Sequence, residues 1–158
     1  MNNLSFHITD ITANSIRANA SEIGLSVEEQ DTRIVIRITD NGLGMDAETA
    51  RRVTNPFSTT RTTRKVGLGL PSLIQNAEQT GGSVTLTSEP GKGTEVRAVF
   101  HSDHIDCPPW GDLPGTVALL ITGNPEINVC FEYRSGETGY SISTNEIKEI
   151  LDGVPLSH

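Results

Sequence analysis

Aromatic residues make up only 4% of this chain, and the cysteines number 2. Cys107 and Cys130 have neither metal-ligand spacing nor the density of a disulfide framework, so a reducing, cytoplasmic setting is expected. The longest apolar run, Val117 to Ile121, is far short of the ~18 residues that span a bilayer, which excludes a helical membrane segment. Met1-Asn2-Asn3 opens without a basic or apolar leader, so no secretory signal is expected. Positive charge is also in short supply, the net charge being −8. Residues 1–100 carry 10 Lys/Arg against 11 Asp/Glu, and residues 101–158 carry 2 against 9. Nucleic acid is excluded as a partner, because no region has the basic surplus that phosphate contacts need. The acidic final third reads as a solvated face or as a surface for a basic protein.

What is present is enough for one core with an appendage, since the chain has 158 residues. The spacing predicts a helix from Leu4 to about Asn19, with Ile8, Ile11 and Ile16 on an apolar side and His7, Asp10, Asn14 and Arg17 on a polar one. Two alternating strands follow, with Ile23, Leu25 and Val27 in one row and Ile34, Ile36 and Ile38 in the next. Asp46 caps a short helix to about Val53, and Ser58 to Val66 is a Thr- and Arg-rich loop. Pro71 sits early in a helix that runs to about Gln79, and Val84–Ser88 and Thr94–Phe100 form a hairpin. Pro108-Pro109-Trp110-Gly111 reads as a joint. Beyond it strands are expected at Thr116–Thr122, Ile127–Tyr133 and near Tyr140. A last helix opens on a capping box, Ser143 to Glu146, and buries Ile147, Ile150 and Leu151. This order predicts an α+β fold, a two-layer sandwich, with one domain over 1–101 and an acidic strand-strand-helix extension over 102–158 that extends or packs on the sheet.

The stretch Asp40-Asn41-Gly42-Leu43-Gly44-Met45 carries the clearest chemistry. An acid at a strand end followed by alternating glycines lets a backbone make room for a nucleotide base. Alone, it reads first as an ordinary Asp-Asn-Gly turn. It stands, however, among three further motifs in order: Asp10-Ile11-Thr12-Ala13-Asn14-Ser15-Ile16-Arg17 before it, then Asn55-Pro56-Phe57-Ser58, then Lys65-Val66-Gly67-Leu68-Gly69-Leu70. Over residues 4–101 the chain resembles the GHKL ATP-binding superfamily of gyrase, heat-shock chaperones, histidine kinases and MutL, with these stretches as its N box, first glycine box, F box and second glycine box.

The resemblance implies a Bergerat-type fold, a mixed sheet covered on one face by helices, and a Mg-ATP site. Asp40 corresponds to the adenine acceptor, with Gly42, Gly44 and Met45 beside it, and Thr94 stands either near the adenine or as a plain strand residue. Asn14 is similar to the family's Mg²⁺ ligand, and Arg17 occupies a position that in kinases approaches the phosphates. Phe57 belongs to the F box. Arg61, Arg64 and Lys65 belong to a short lid, and Gly67, Leu68, Gly69 and Leu70 lie at a helix start beside the triphosphate. Asp10 occupies the place of a general-base Glu in hydrolytic members. Being shorter, it is read as base, as ligand to a magnesium-bound water, or as helix cap.

Gly91-Lys92-Gly93-Thr94 lacks P-loop spacing, and His7 has the setting of a helix-face histidine rather than a phosphoacceptor. With only a few residues before the first helix, no phosphoacceptor hairpin is expected. The expected function is therefore an ATP-binding protein kinase, histidine kinase-like or of the anti-sigma serine-kinase type, that phosphorylates a separate protein in trans on His or Ser/Thr. The alternatives are an ATP-dependent regulatory module or a slow ATPase, with the unidentified partner meeting residues 102–158.

Overall fold

A computed structural model describes residues 3–54 and 69–151. Along them lie α1 (Leu4–Arg17), β1 (Glu22–Gln30), β2 (Arg33–Asp40), α2 (Ala47–Thr54), α3 (Gly69–Gln79), β3 (Ser83–Glu89), β4 (Gly93–His101), α4 (Leu113–Thr122), β5 (Asn128–Ser135), β6 (Thr138–Ser143) and α5 (Thr144–Leu151). All the strands join one sheet, in the order β3-β4-β2-β1-β5-β6. The β1–β5 pair is parallel and the other pairs are antiparallel, so the sheet is mixed.

Period-two alternation decides which face is covered. Ile23, Leu25 and Val27 of β1, Ile34, Ile36 and Ile38 of β2, Val96, Ala98 and Phe100 of β4, and Val129 and Phe131 of β5 are all buried. Leu4, Ile8 and Ile11 of α1, Leu70, Leu73 and Ala77 of α3, and Val117, Leu120 and Ile121 of α4 complete the same core. The opposite face is polar. Arg97, Arg37, Ser26 and Glu132 follow one another across β4, β2, β1 and β5, and Arg37 pairs with Glu95 at 3.3 Å. This is the α+β sandwich expected, helices on one face of a mixed sheet. No described helix is long and apolar enough to cross a membrane.

Three expectations need correction. The segment expected as a strand over Thr116–Thr122 is helical and belongs to α4. A short apolar run cannot distinguish helix from buried strand by periodicity. The deciding signals lie upstream, where the Asp112 carboxylate accepts from Gly115 N at 3.0 Å and Pro114 occupies the first turn. The region beyond the joint is therefore helix-strand-strand-helix. At its end Ser143 caps α5, with Glu146 N donating to Ser143 Oγ at 3.2 Å, and the Glu146 side chain turns back to accept from Ser143 Oγ at 3.0 Å rather than from the backbone N–H of a full capping box. Ile147 packs on the core, but Ile150 is 80% exposed, and the side chain of Leu151 lies outside the described residues.

The third correction concerns His7. It does not join Asp10, Asn14 and Arg17 on a polar face but is buried, at 2% exposure, among the stripe formed by Leu4, Ile8 and Ile11. Its Nε2 lies 2.7 Å from the Asn76 amide of α3, and its Nδ1 has no partner among the described residues. Burial holds its pKa below the ordinary 6.5, because charging the ring there means desolvating a cation. The unfolded chain thus binds the extra proton first as pH falls through 6.5. Stability that is complete above that pH is lost on the way down to the folded-state pKa. We expect the thermal midpoint of the wild type to fall as pH drops from 7 toward 5. His7→Gln should flatten that part of the profile, and equal slopes for the two proteins would contradict it.

Candidate functional site

A cavity of about 340 Å³ opens where α1, the end of β2, the loop after it, the start of α3 and β4 meet. That size suits a small molecule. Ile11, Ile38, Leu43, Met45, Leu70 and Val96 give it apolar walls, and Asn14, Ser15, Arg17, Asp40 and Thr94 supply the polar groups.

Asp40 is the last residue of β2, on the covered face, and it is held at both oxygens. Ser15 Oγ donates to Oδ2 at 2.6 Å, and the Gly42 N–H donates to Oδ1 at 2.9 Å. Each oxygen keeps acceptor capacity for a further donor. Strand pairing sets Thr94 directly opposite Asp40, so a carboxylate and a hydroxyl stand side by side at the end of an apolar slot. Behind Thr94 lies Ser88 of β3, whose Oγ is 2.8 Å from Thr94 Oγ1 and accepts from Met45 N at 2.8 Å.

The loop between Asp40 and Met45 is clamped on both sides. The Leu43 N–H donates to the Ala18 carbonyl at 2.9 Å, and the Gly91 N–H donates to the Leu43 carbonyl at 2.7 Å. Its glycines answer to this clamp. A Cβ on Gly42 would stand 2.7 Å from the Ala18 carbonyl oxygen, and one on Gly44 would stand 2.0 Å from that of Glu89. The sequence suggested that both glycines clear space for a base. The protein's own backbone approaches closely at both positions, and Gly44 also lines the cavity.

At the other end, on α1, Arg17 Nη2 donates to Asn14 Oδ1. Among the described residues no group of three or more His, Cys, Asp or Glu could hold a metal ion. Asn14 offers one neutral oxygen, a donor set that fits Mg²⁺ only when a phosphate chain and water provide the remaining ligands. Asp10 lies one turn before Asn14, off the cavity wall, and against the start of α3. A Cβ on Gly69 would be 2.8 Å from the Asp10 Cβ. Partial burial raises the Asp10 pKa, and the charge of Arg17 acts against that rise.

Of the residues singled out in the sequence, Asn14, Arg17, Asp40, Gly44, Met45, Leu70 and Thr94 meet at one cavity, while Asp10, Gly42 and Gly69 stand around it. Phe57, Arg61, Arg64, Lys65, Gly67 and Leu68 lie outside the described residues. Sequence reasoning missed Ser15 and Ser88. Each continues an apolar row, Ile8-Ile11-Ser15 on α1 and Val84-Leu86-Ser88 on β3. A hydroxyl on such a row must find a partner, and that was the available signal.

Residues 3–104 match the family described as histidine kinase-, DNA gyrase B-, and HSP90-like ATPase. The chain is 28% identical over 104 residues to the sensor histidine kinase YxdK of Bacillus subtilis, covering 61% of this chain and 32% of that protein. It is 34% identical over 91 residues to the sensor kinase CckA of Brucella abortus, covering 57% and 10%. The chain thus spans a third or less of these relatives. Among solved structures it is similar to the N-terminal domain of a DNA repair protein, with a TM-score of 0.63, 18% identity, and 90% and 52% of the two chains covered. The Aquifex aeolicus MutL ATPase domain complexed with ADP gives a TM-score of 0.55 at 17% identity, with 94% and 68% covered.

Gly44 is the most sensitive point of this architecture. Its φ of +73° costs an alanine about 1–2 kcal/mol before any contact is counted. The Glu89 carbonyl must then move as well. Gly44→Ala should therefore lower denaturant stability by about 2 kcal/mol or more, and an unchanged denaturation midpoint would contradict the clamp.

Proposed function

Because the chain belongs to the histidine kinase-, DNA gyrase B-, and HSP90-like ATPase family, we propose that the cavity takes the adenosine part of ATP and that its γ-phosphate passes to a separate protein. One observation carries the binding step. A carboxylate fixed at both oxygens stands beside a hydroxyl at the end of an apolar slot, matching the hydrogen-bonding edge of a flat, otherwise apolar base.

In this reading Asp40 accepts from the exocyclic amine, and Met45, Leu70 and Ile38 enclose the ring. Asn14 would offer one oxygen to Mg²⁺, which would supply positive charge against the negative triphosphate. Arg17 leaves Asn14 for a phosphate oxygen, exchanging a neutral acceptor for a charged one. The family resemblance assigns Arg64 and Lys65 to a lid, and Phe57, Gly67 and Leu68 to its flanks. Asp10 takes the proton of the attacking hydroxyl as the new bond to γ-phosphorus forms and the bond to ADP breaks. The partner meets the acidic end of the chain, around β5, β6 and α5, in a cytoplasm that suits the free thiols Cys107 and Cys130.

A second reading, a nucleotide-binding regulatory module with little turnover or a slow ATPase, draws support from the N box. Asn14 is engaged by Arg17, and Asp10 stands off the cavity wall. Incubation with labelled Mg-ATP and an extract of the source cell separates the readings: a labelled protein supports transfer, free phosphate supports hydrolysis, and neither product with retained binding supports the module. Two substitutions test the residues. Asp40→Asn should weaken ATP binding by about 10-fold or more in calorimetry while the protein stays folded, and unchanged affinity would refute the adenine assignment. Asp10→Asn should keep ATP affinity and lose turnover, and full turnover would remove Asp10 as the base.

A further inference from the structure

β6 ends the sheet, and among the described residues no strand pairs with its outer edge. It joins β5 through a two-residue turn, Gly136-Glu137, in which Gly136 has a φ of +60°. Such a turn makes Ser135 and Thr138 a hydrogen-bonded pair, and the bonding alternates from there. Tyr140 and Ile142 therefore bond to β5, while the N–H and C=O groups of Gly139 and Ser141 point away from it. Sheet edges are ordinarily blunted by charge, proline or a bulge. The stretch Thr138-Gly139-Tyr140-Ser141-Ile142-Ser143 has no charge and no proline, and its register with β5 runs unbroken.

The two faces of this edge differ. On the helix side Tyr140 is 57% and Ile142 36% exposed, although Tyr140 meets the buried Phe131 ring edge to face at 5.9 Å. The apolar face of the sheet thus continues to its rim without full cover. On the open side Ser141 shares a depression of about 400 Å³ with Glu132 and Glu146. Arg37, on the far wall, is paired with Glu95 at 3.3 Å, and Arg134 approaches Glu132 only to 3.9 Å. We propose that this edge takes an extended segment of a basic partner protein as an added strand. Its apolar side chains lie beside Tyr140 and Ile142, and its Lys or Arg side chains lie toward Glu132 and Glu146. This deepens the reading that a partner meets the acidic end of the chain, and rests on it for that location. A second copy is disfavoured. The net charge is −8, and pairing β6 with β6 would bring the Glu132 and Glu146 carboxylates of both copies together.

The probe is a short synthetic peptide in which Ile and Val alternate with Lys and Thr. Its controls are a counterpart with Glu for Lys and a scramble that loses the alternation. Binding to the full chain is read by calorimetry and by amide hydrogen exchange. The Lys peptide should bind about 10-fold or more tighter than either control, and it should slow exchange at Gly139 and Ser141. Ser141→Pro removes one outward N–H where an edge strand tolerates proline, and should weaken the Lys peptide about 10-fold or more. Ser141→Lys keeps the backbone intact should proline unfold the hairpin. It should weaken the Lys peptide and narrow its lead over the Glu peptide. A wild type that binds no Lys peptide, equal affinity for the scramble, or protection away from β6 would overturn the proposal. So would a dimer in sedimentation that Ser141→Pro dissociates, since a second copy would then occupy the edge. No nucleotide enters this test, so its failure leaves the ATP site standing, and a failure of ATP binding leaves the edge standing.

Discussion

Both oxygens of the Asp40 carboxylate are held from within the protein, one by a hydroxyl on α1 and one by the backbone of the loop that follows β2. That double hold ties the first helix, the second strand and the glycine loop to a single point. An acceptor facing an apolar slot is useful only if it is fixed, because a free carboxylate would turn toward water or toward the nearest cation. Ser15 does its part while only 2% exposed, which makes its proton unavailable to solvent. The sheet then sets the spacing, since register alone brings Thr94 opposite Asp40.

The loop depends on backbone more than on side chains. Ala18 and Gly91 grip Leu43 from opposite sides, and the glycines at 42 and 44 let the carbonyls of Ala18, just past α1, and of Glu89 in β3 come within a distance no Cβ permits. The cavity is thus framed by elements far apart in sequence. A change in the β3–β4 hairpin is felt at Met45 through Ser88 and at Leu43 through Gly91. The N box is built differently. Arg17 rests on Asn14, and both stay close to the surface, where a charged ligand can reorganise them.

Much of this was legible in the sequence because the signals were local. Ile34, Ile36 and Ile38 alternate and form a strand; Asp46 precedes a helix and caps it, accepting from Thr49 N at 2.8 Å. Motif order brought Asn14, Asp40 and Thr94 to one cavity. What failed was non-local. The run Val117–Ile121 is equally apolar as helix or strand, and the choice was made by Asp112 and Pro114 upstream. His7 matched a polar spacing on α1, but packing of α3 against that helix turned its position into core. Ser15 and Ser88 carry no motif weight, since what matters is which buried groups they meet, and sequence spacing does not report that.

The central claim is that the slot closed by Asp40 and Thr94 takes adenine. A crystal structure of this chain with Mg²⁺ and a non-hydrolysable ATP analogue tests it most directly. The account predicts the exocyclic amine within hydrogen-bonding distance of an Asp40 oxygen, N1 facing Thr94, and the phosphates running toward Asn14 and Arg17. A nucleotide bound elsewhere, or one whose base leaves Asp40 without a partner, would contradict it.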